Sequence, residues 1–237
     1  MKVLALDSTA KSGSAAVLDG ERALAVFTTD SGNTHSESLL PMAEAVMEKS
    51  RVPLDAIDLF AVTAGPGSFT GVRIGVSVVK GLAFGREKPC VGVSTLEALA
   101  EGLSPLGGLL CPVMDARRNQ VYNALFRVSG GVLIRLCPDR AISLEELTRE
   151  LREKYPFDTV RLAGDGCALT RTALDAAGIP VAETPPMLRN LSADAVGRCA
   201  LRAHARGEST TDSALAPTYL RLPQAERERL EKQNNKS

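Results

Sequence analysis

Apolar and polar positions divide the first hundred residues into alternating strand and helix signals. Residues 3–6 are an apolar run closed by Asp7, and residues 8–14 are small and polar. A second run at 14–18 leads through Asp19-Gly20, a hairpin signal, into a third at 22–28, so the chain opens with an antiparallel meander. Residues 35–49 have helical spacing, with Leu39, Leu40, Ala43, Val46 and Met47 on one side. A buried-type strand at 59–64 precedes a helix at 71–85. A short strand at 91–93 then ends at Ser94, which caps the next helix. The order β-β-β-α-β-α-β-α predicts a mixed sheet with helices packed on it.

Ser104-Pro105-Leu106-Gly107-Gly108 interrupts this pattern and marks the expected domain boundary. The reading is a first domain over 1–104, a second over 105–223 and a flexible polar tail over 224–237. The second block predicts strands at 109–114, 120–128 and 132–136, with Ser129-Gly130-Gly131 turning between the last two. A capping box from Ser143 to Glu146 opens a helix over 143–154. A strand at 159–163 then ends at Gly164-Asp165-Gly166, a further helix runs to Ala177, and the last helix spans 191–206.

Composition narrows the function classes. Hydrophobic residues make up 44% of the 237, enough for a sizeable core, and 28 basic residues balance 28 acidic ones. A protein that grips nucleic acid by itself carries a basic excess, because phosphate neutralisation drives that affinity. Five scattered cysteines, none spaced as Cys-x-x-Cys, read as buried reduced thiols. The chain begins Met1-Lys2 and then a strand, with no secretory signal and no apolar stretch of the ~20 residues a membrane span needs, so the expectation is a soluble cytoplasmic protein. His35 and His204 stand apart and lack metal-ligand spacing, and no Gly-x-Ser-x-Gly nucleophile elbow occurs.

The densest motif is Gly-Pro-Gly-Ser-Phe-Thr-Gly-Val-Arg-Ile-Gly at 65–75, a strand end, a glycine turn and a helix start. Ser68 or Thr70 can cap the helix. Such a junction admits a phosphate at the helix-start amides, or the close approach of another backbone. It lacks the Gly-Lys-Ser/Thr of a P-loop, and its glycines do not match a dinucleotide fingerprint. The Asp7-Ser8 loop reads as a turn or as the phosphate hairpin of a sugar-kinase or actin-like fold. Gly164-Asp165-Gly166 reads as a turn or as an adenosine loop. Asp115 to Tyr122 concentrates an acid, two guanidiniums and two amides at one strand junction. The helix at 71–85 interleaves glycines with apolar residues almost all round, as expected of a helix approached closely by a partner's helix or buried inside its own domain.

Together the Asp7 hairpin, the His35 helix with Leu40-Pro41, the 65–75 motif, Gly92-Val93-Ser94-Thr95-Leu96, Asp115-Ala116-Arg117 and Tyr219-Leu220-Arg221 resemble the bacterial TsaB family, also called YeaZ. The resemblance implies an α/β, two-domain actin-like fold of the sugar-kinase and Hsp70 superfamily. It implies a non-catalytic subunit that supports TsaD in moving a threonylcarbamoyl group to the tRNA adenosine next to the anticodon. TsaE would join the assembly, tRNA would be met indirectly through the complex, and the chain alone would form homodimers. The expected partner surface is the helix pair 36–48 and 71–85, with Leu39, Val46, Val72, Gly75, Val76, Val79 and Gly81. Asp7, Ser8, Gly164 and Asp165 are the weak nucleotide candidates, with no tightly bound cofactor and ATP with magnesium entering only in the complex. No catalytic residue or metal ligand is expected. The alternative is an autonomous ATP-dependent kinase or ATPase of the same fold, with Asp165 or Asp115 as base. A zinc peptidase is a third class.

Overall fold

The first strand, β1 (Lys2–Asp7), is buried from Val3 onward and serves two faces of a sheet at once. Leu4 and Leu6 point to one core, Val3 and Ala5 to another, as the two-residue period of a strand requires. This is a computed structural model, and it describes residues 1–221. β1 pairs antiparallel with β2 (Gly13–Asp19), which pairs antiparallel with β3 (Arg22–Thr29). On its other side β1 runs parallel to β4 (Leu59–Gly65), and β4 runs parallel to β5 (Cys90–Ser94). The sheet order is β3-β2-β1-β4-β5.

The second sheet repeats that plan. β6 (Leu109–Asp115) is central, between β7 (Gln120–Asn123) and β11 (Val160–Ala163). β10 (Arg140–Ser143) and β12 (Val181–Ala182) lie outermost, and the hairpin β8 (Phe126–Ser129) and β9 (Val132–Arg135) extends β6. Helices α1 (His35–Ser50) and α2 (Phe69–Ala83) cover the outer face of the first sheet. Helices α4 (Leu144–Lys154) and α5 (Cys167–Ala176) cover the outer face of the second. Between the sheets lie α3 (Thr95–Leu103) and α6 (Ala193–Ala205), whose apolar sides share one core with Val3, Ala5, Leu110 and Phe126. Two sheets of like order enclosing a central helix pair form the two-lobed actin-like fold.

Local signals work as the chemistry demands. The capping box at Ser143 and Glu146 is closed in both directions. Ser94 accepts from the Glu97 amide at 3.2 Å to start α3, and Ser68 rather than Thr70 caps α2. Among the described residues no helix is long and apolar enough to cross a membrane.

Three expectations need correction. The strand read at 120–128 is two, β7 and β8, broken at Ala124-Leu125 opposite Cys111-Pro112. Pro112 has no N–H for the ladder, and the buried Asn123 side chain substitutes, donating to the Pro112 carbonyl at 3.1 Å and to the Ala124 carbonyl at 3.0 Å. Strand β10 has no counterpart in the sequence pattern. The division at Ser104 does not separate two cores, because α6, assigned by sequence to the second domain, packs on β1, β2 and β5 of the first sheet. Glu101 of α3 fixes it there, reaching Arg198 at 3.1 Å and Arg202 at 2.7 Å. The expected tail at 224–237 lies outside the described residues.

Candidate functional site

The β4–α2 junction packs against its own chain. Of its two readings, ligand loop or backbone contact, the backbone contact holds at Gly71, while Pro66, Gly67, Ser68 and Phe69 also line a cleft. Ser68 donates its amide to the Thr9 carbonyl at 2.8 Å, and the Ser8 hydroxyl donates to the Gly71 carbonyl at 2.8 Å. A Cβ on Gly71 would lie 1.9 Å from the Ser8 carbonyl oxygen, and one on Gly75 would lie 2.6 Å from the Ser8 hydroxyl. The β1–β2 loop fills the inner side of α2 at Gly71 and Gly75.

That loop buries Asp7 completely. Its Oδ1 accepts from the Thr9 amide at 3.1 Å, the Thr9 hydroxyl at 2.7 Å and the Thr63 hydroxyl at 2.6 Å, while Oδ2 has no partner. Burial raises the Asp7 pKa above the ordinary carboxylate value, although these hydrogen bonds and nearby His35 pull it down. His35 is held by the Ala10 carbonyl at 2.7 Å, and His204 by Ser209 at 2.6 Å.

A cleft of about 350 Å³ opens beside the junction, between Lys11 and Phe69 on the first lobe and Asp115, Arg117, Tyr122 and Asp165 on the second. Of the nucleotide candidates, only Asp165 reaches it; Asp7, Ser8 and Gly164 do not line it. Gly164 is a packing position, since a Cβ there would meet the Val113 carbonyl at 2.2 Å. The residues at Asp7 and Ser8 therefore do not fit a magnesium-bridged nucleotide in this arrangement. Among the described residues no group of three or more His, Cys, Asp or Glu could hold a metal ion. Asp165 accepts from the Asp115 amide at 2.9 Å. Its carboxylate is open to the cleft yet crowded by protein atoms. That desolvation, with the like charge of Asp115, raises its pKa. Asp115 is already engaged, by the Arg117 amide at 2.7 Å and the Arg117 guanidinium at 3.3 Å.

The polar loop after β6 holds a feature with little sequence signal. Arg117, Arg118 and Asn119 are consecutive left-handed residues, with φ of 64°, 54° and 56°. Only Asn119 is a type that tolerates this region readily. The turn is held by the Ala116 amide to the Gln120 carbonyl at 3.0 Å and by Arg221, which donates to the Ala116 carbonyl at 3.1 Å. Arg221 belongs to a strap over the first lobe. Leu215 is buried, Thr218 donates its amide to the Ala64 carbonyl at 2.7 Å, and Tyr219 stacks on Phe69 with ring centroids 4.7 Å apart.

The helix pair also departs from expectation. Leu39, Val46, Val72, Gly75, Val76 and Val79 are all buried in the first lobe's own core, and of the seven partner candidates only Gly81 is exposed. Val72, Val76, Val79 and Ala83 form one stripe at helical spacing, and that stripe faces β4. The outward stripe is the part that sequence reasoning missed. It carries Ile74, Val78 and Leu82, which are half-buried and still touch the first lobe's core, beside Phe84, which is 76% exposed, and Leu40 of the adjoining α1, 42% exposed.

The sequence matches the family described as "TsaD: tRNA N6-adenosine threonylcarbamoyltransferase" over residues 26–228. It is similar to the "tRNA threonylcarbamoyladenosine biosynthesis protein TsaB" of Bacillus subtilis, 34% identical over 154 residues, covering 65% of this chain and 67% of that one. The protein of the same description from Escherichia coli is 36% identical over 129 residues, and the match spans about half of each, 54% and 55%. The solved structure described as "YeaZ from Pseudomonas aeruginosa" aligns over 92% of this chain and 99% of its own, with 29% identity and a TM-score of 0.75. Matched over most of its length by that family and sharing the fold of a solved YeaZ, the chain belongs to the TsaD family of threonylcarbamoyladenosine proteins, on its TsaB (YeaZ) branch.

Proposed function

We propose that this chain takes part in forming threonylcarbamoyladenosine in tRNA, as a non-catalytic subunit that binds and supports a TsaD-type transferase in the cytoplasm. The relatives' names and the matched family support the pathway. The observation that supports a binding role is the outward stripe of α2 with Leu40 and Phe84, an apolar surface on two packed helices. Fully burying one such side chain contributes roughly 1.5–3 kcal/mol, so several sustain a complex. With the transferase absent, the same stripe pairs two copies of this chain. TsaE joins the assembly, tRNA is met through the complex, and ATP with magnesium enters there rather than on this chain alone.

The test is copurification with a TsaD-type partner, followed by the tRNA modification assay with and without this chain. Product is expected only with both proteins, and Phe84→Asp with Leu82→Asp should abolish association while circular dichroism is unchanged. Modified nucleoside from this chain alone, or normal association of the doubly charged variant, overturns the reading.

A further inference from the structure

Among the described residues, Arg73 is a charge held in place without an anion. Its guanidinium lies over the Phe69 ring, 3.9 Å from the centroid, and its Nε donates to the Tyr219 hydroxyl at 2.8 Å. Tyr219 in turn is stacked on Phe69 at an interplanar angle of 28°, so strap and helix grip the side chain from two sides. Among the described residues no carboxylate comes within ion-pair reach of it; the Tyr219 hydroxyl is its hydrogen-bond partner. The side chain is exposed at the surface of α2, one turn before Ser77 and two before Gly81 on the same outward stripe. Immobilising an arginine costs rotamer entropy, and among the described residues no ion pair offsets it. Among the described residues the two η-nitrogens have no hydrogen-bond partner, and a guanidinium fork suits one carboxylate in bidentate geometry.

We propose that Arg73, preset by Phe69 and Tyr219, is the anchor for an acidic side chain on the protein that covers the outward stripe of α2. The inference rests on the helix-surface reading above. A carboxylate fits better than an RNA phosphate. The anchor is one guanidinium framed by two aromatic rings and the half-buried Ile74, the composition of a protein–protein hot spot. The chain as a whole has no basic excess, which phosphate binding would need. Tyr219 is then a positioning residue. Its hydroxyl fixes the guanidinium from a strap that also holds the second lobe through Arg221 and the Ala116 carbonyl.

The test measures the affinity of the full chain for a purified TsaD-type partner at several salt concentrations. Arg73→Gln should weaken binding by about tenfold or more and flatten its salt dependence, since a desolvated charge pair is lost. Arg73→Lys should recover only part, because a point charge does not replace the fork. Tyr219→Phe keeps the ring and loses the hydroxyl; it should weaken binding about threefold, with unchanged circular dichroism and retained salt dependence. Wild-type affinity and salt slope in Arg73→Gln would overturn this inference alone, provided Phe84→Asp with Leu82→Asp still abolishes binding; if neither variant matters, the surface reading falls too. No complex with the wild-type chain overturns both. Binding of tRNA by the isolated chain that is lost in Arg73→Gln would overturn the carboxylate assignment in favour of phosphate.

Discussion

Two glycines of α2, ten residues apart, should answer the same substitution with opposite signs. Gly71 sits against the β1–β2 loop, where an added methyl carbon would lie 1.9 Å from the Ser8 carbonyl oxygen. That atom is backbone and cannot rotate away, so helix and loop must separate by more than an ångström. Separation strains the Ser8 hydroxyl bond to Gly71 and the Ser68 amide bond to Thr9, both 2.8 Å now. Overpacking costs about 1–3 kcal/mol and each net hydrogen bond about 1 kcal/mol. Alanine returns up to about 1 kcal/mol of helix propensity. The balance for Gly71→Ala is a loss of about 2–4 kcal/mol. Gly81 is exposed, and an alanine methyl there would meet nothing within 4 Å. There the propensity gain stands alone, and Gly81→Ala should stabilise by about 0.5–1 kcal/mol. Urea unfolding followed by circular dichroism, at concentrations low enough to keep the chain monomeric, reads both. A Gly71→Ala protein as stable as wild type, or a destabilised Gly81→Ala, would refute the assignment of inner and outer faces to this helix.

Other consequences follow from the buried charges. Replacing Glu101 by Gln weakens its pairs with Arg198 and Arg202, leaving two half-buried guanidiniums short of their shared counter-charge; about 1–3 kcal/mol of stability should be lost, visible as a lower melting temperature. Asp7 has a raised native pKa, so over the range above its unfolded value the native state holds more protons than the unfolded one. Stability should therefore fall as pH rises from the ordinary aspartate value through the raised native value. Asp7→Asn should remove that part of the slope, measured as unfolding free energy between pH 4 and pH 7 on the usual aspartate scale; an identical pH profile in the variant would show that Asp7 does not titrate there. Asp165 is raised for the same reason and contributes with the same sign, so Asp165→Asn is the matched control.

Much of the architecture was legible because its causes are local. The capping box at Ser143 and Glu146, the Ser94 cap, the Asp19-Gly20 turn and the two-residue alternation of β1 each depend on neighbours a few positions away. The 65–75 motif and Tyr219-Leu220-Arg221 pointed to the family, and the structure brings these distant segments together through Phe69, Arg73 and Tyr219. What sequence could not decide was which of two alternatives a neighbour selects. Helix α2 is apolar nearly all round, so its inward stripe exists only once β4 lies beneath Val72, Val76 and Val79. The junction at Gly71 suited a phosphate as well as a backbone until Ser8 occupied the space. Helix α6 is amphipathic wherever it lies, and only contact with Glu101 and the first sheet places it between the lobes. The left-handed turn at 117–119 runs against the local preference of both arginines. Local bonds from Asp115 and Gln120 close it, and tertiary contacts from Leu144 and Arg221 hold it there. Rules of dihedral, cap and period act within a turn or two of chain, while the choice of face and the identity of an occupant are made by residues far away in sequence.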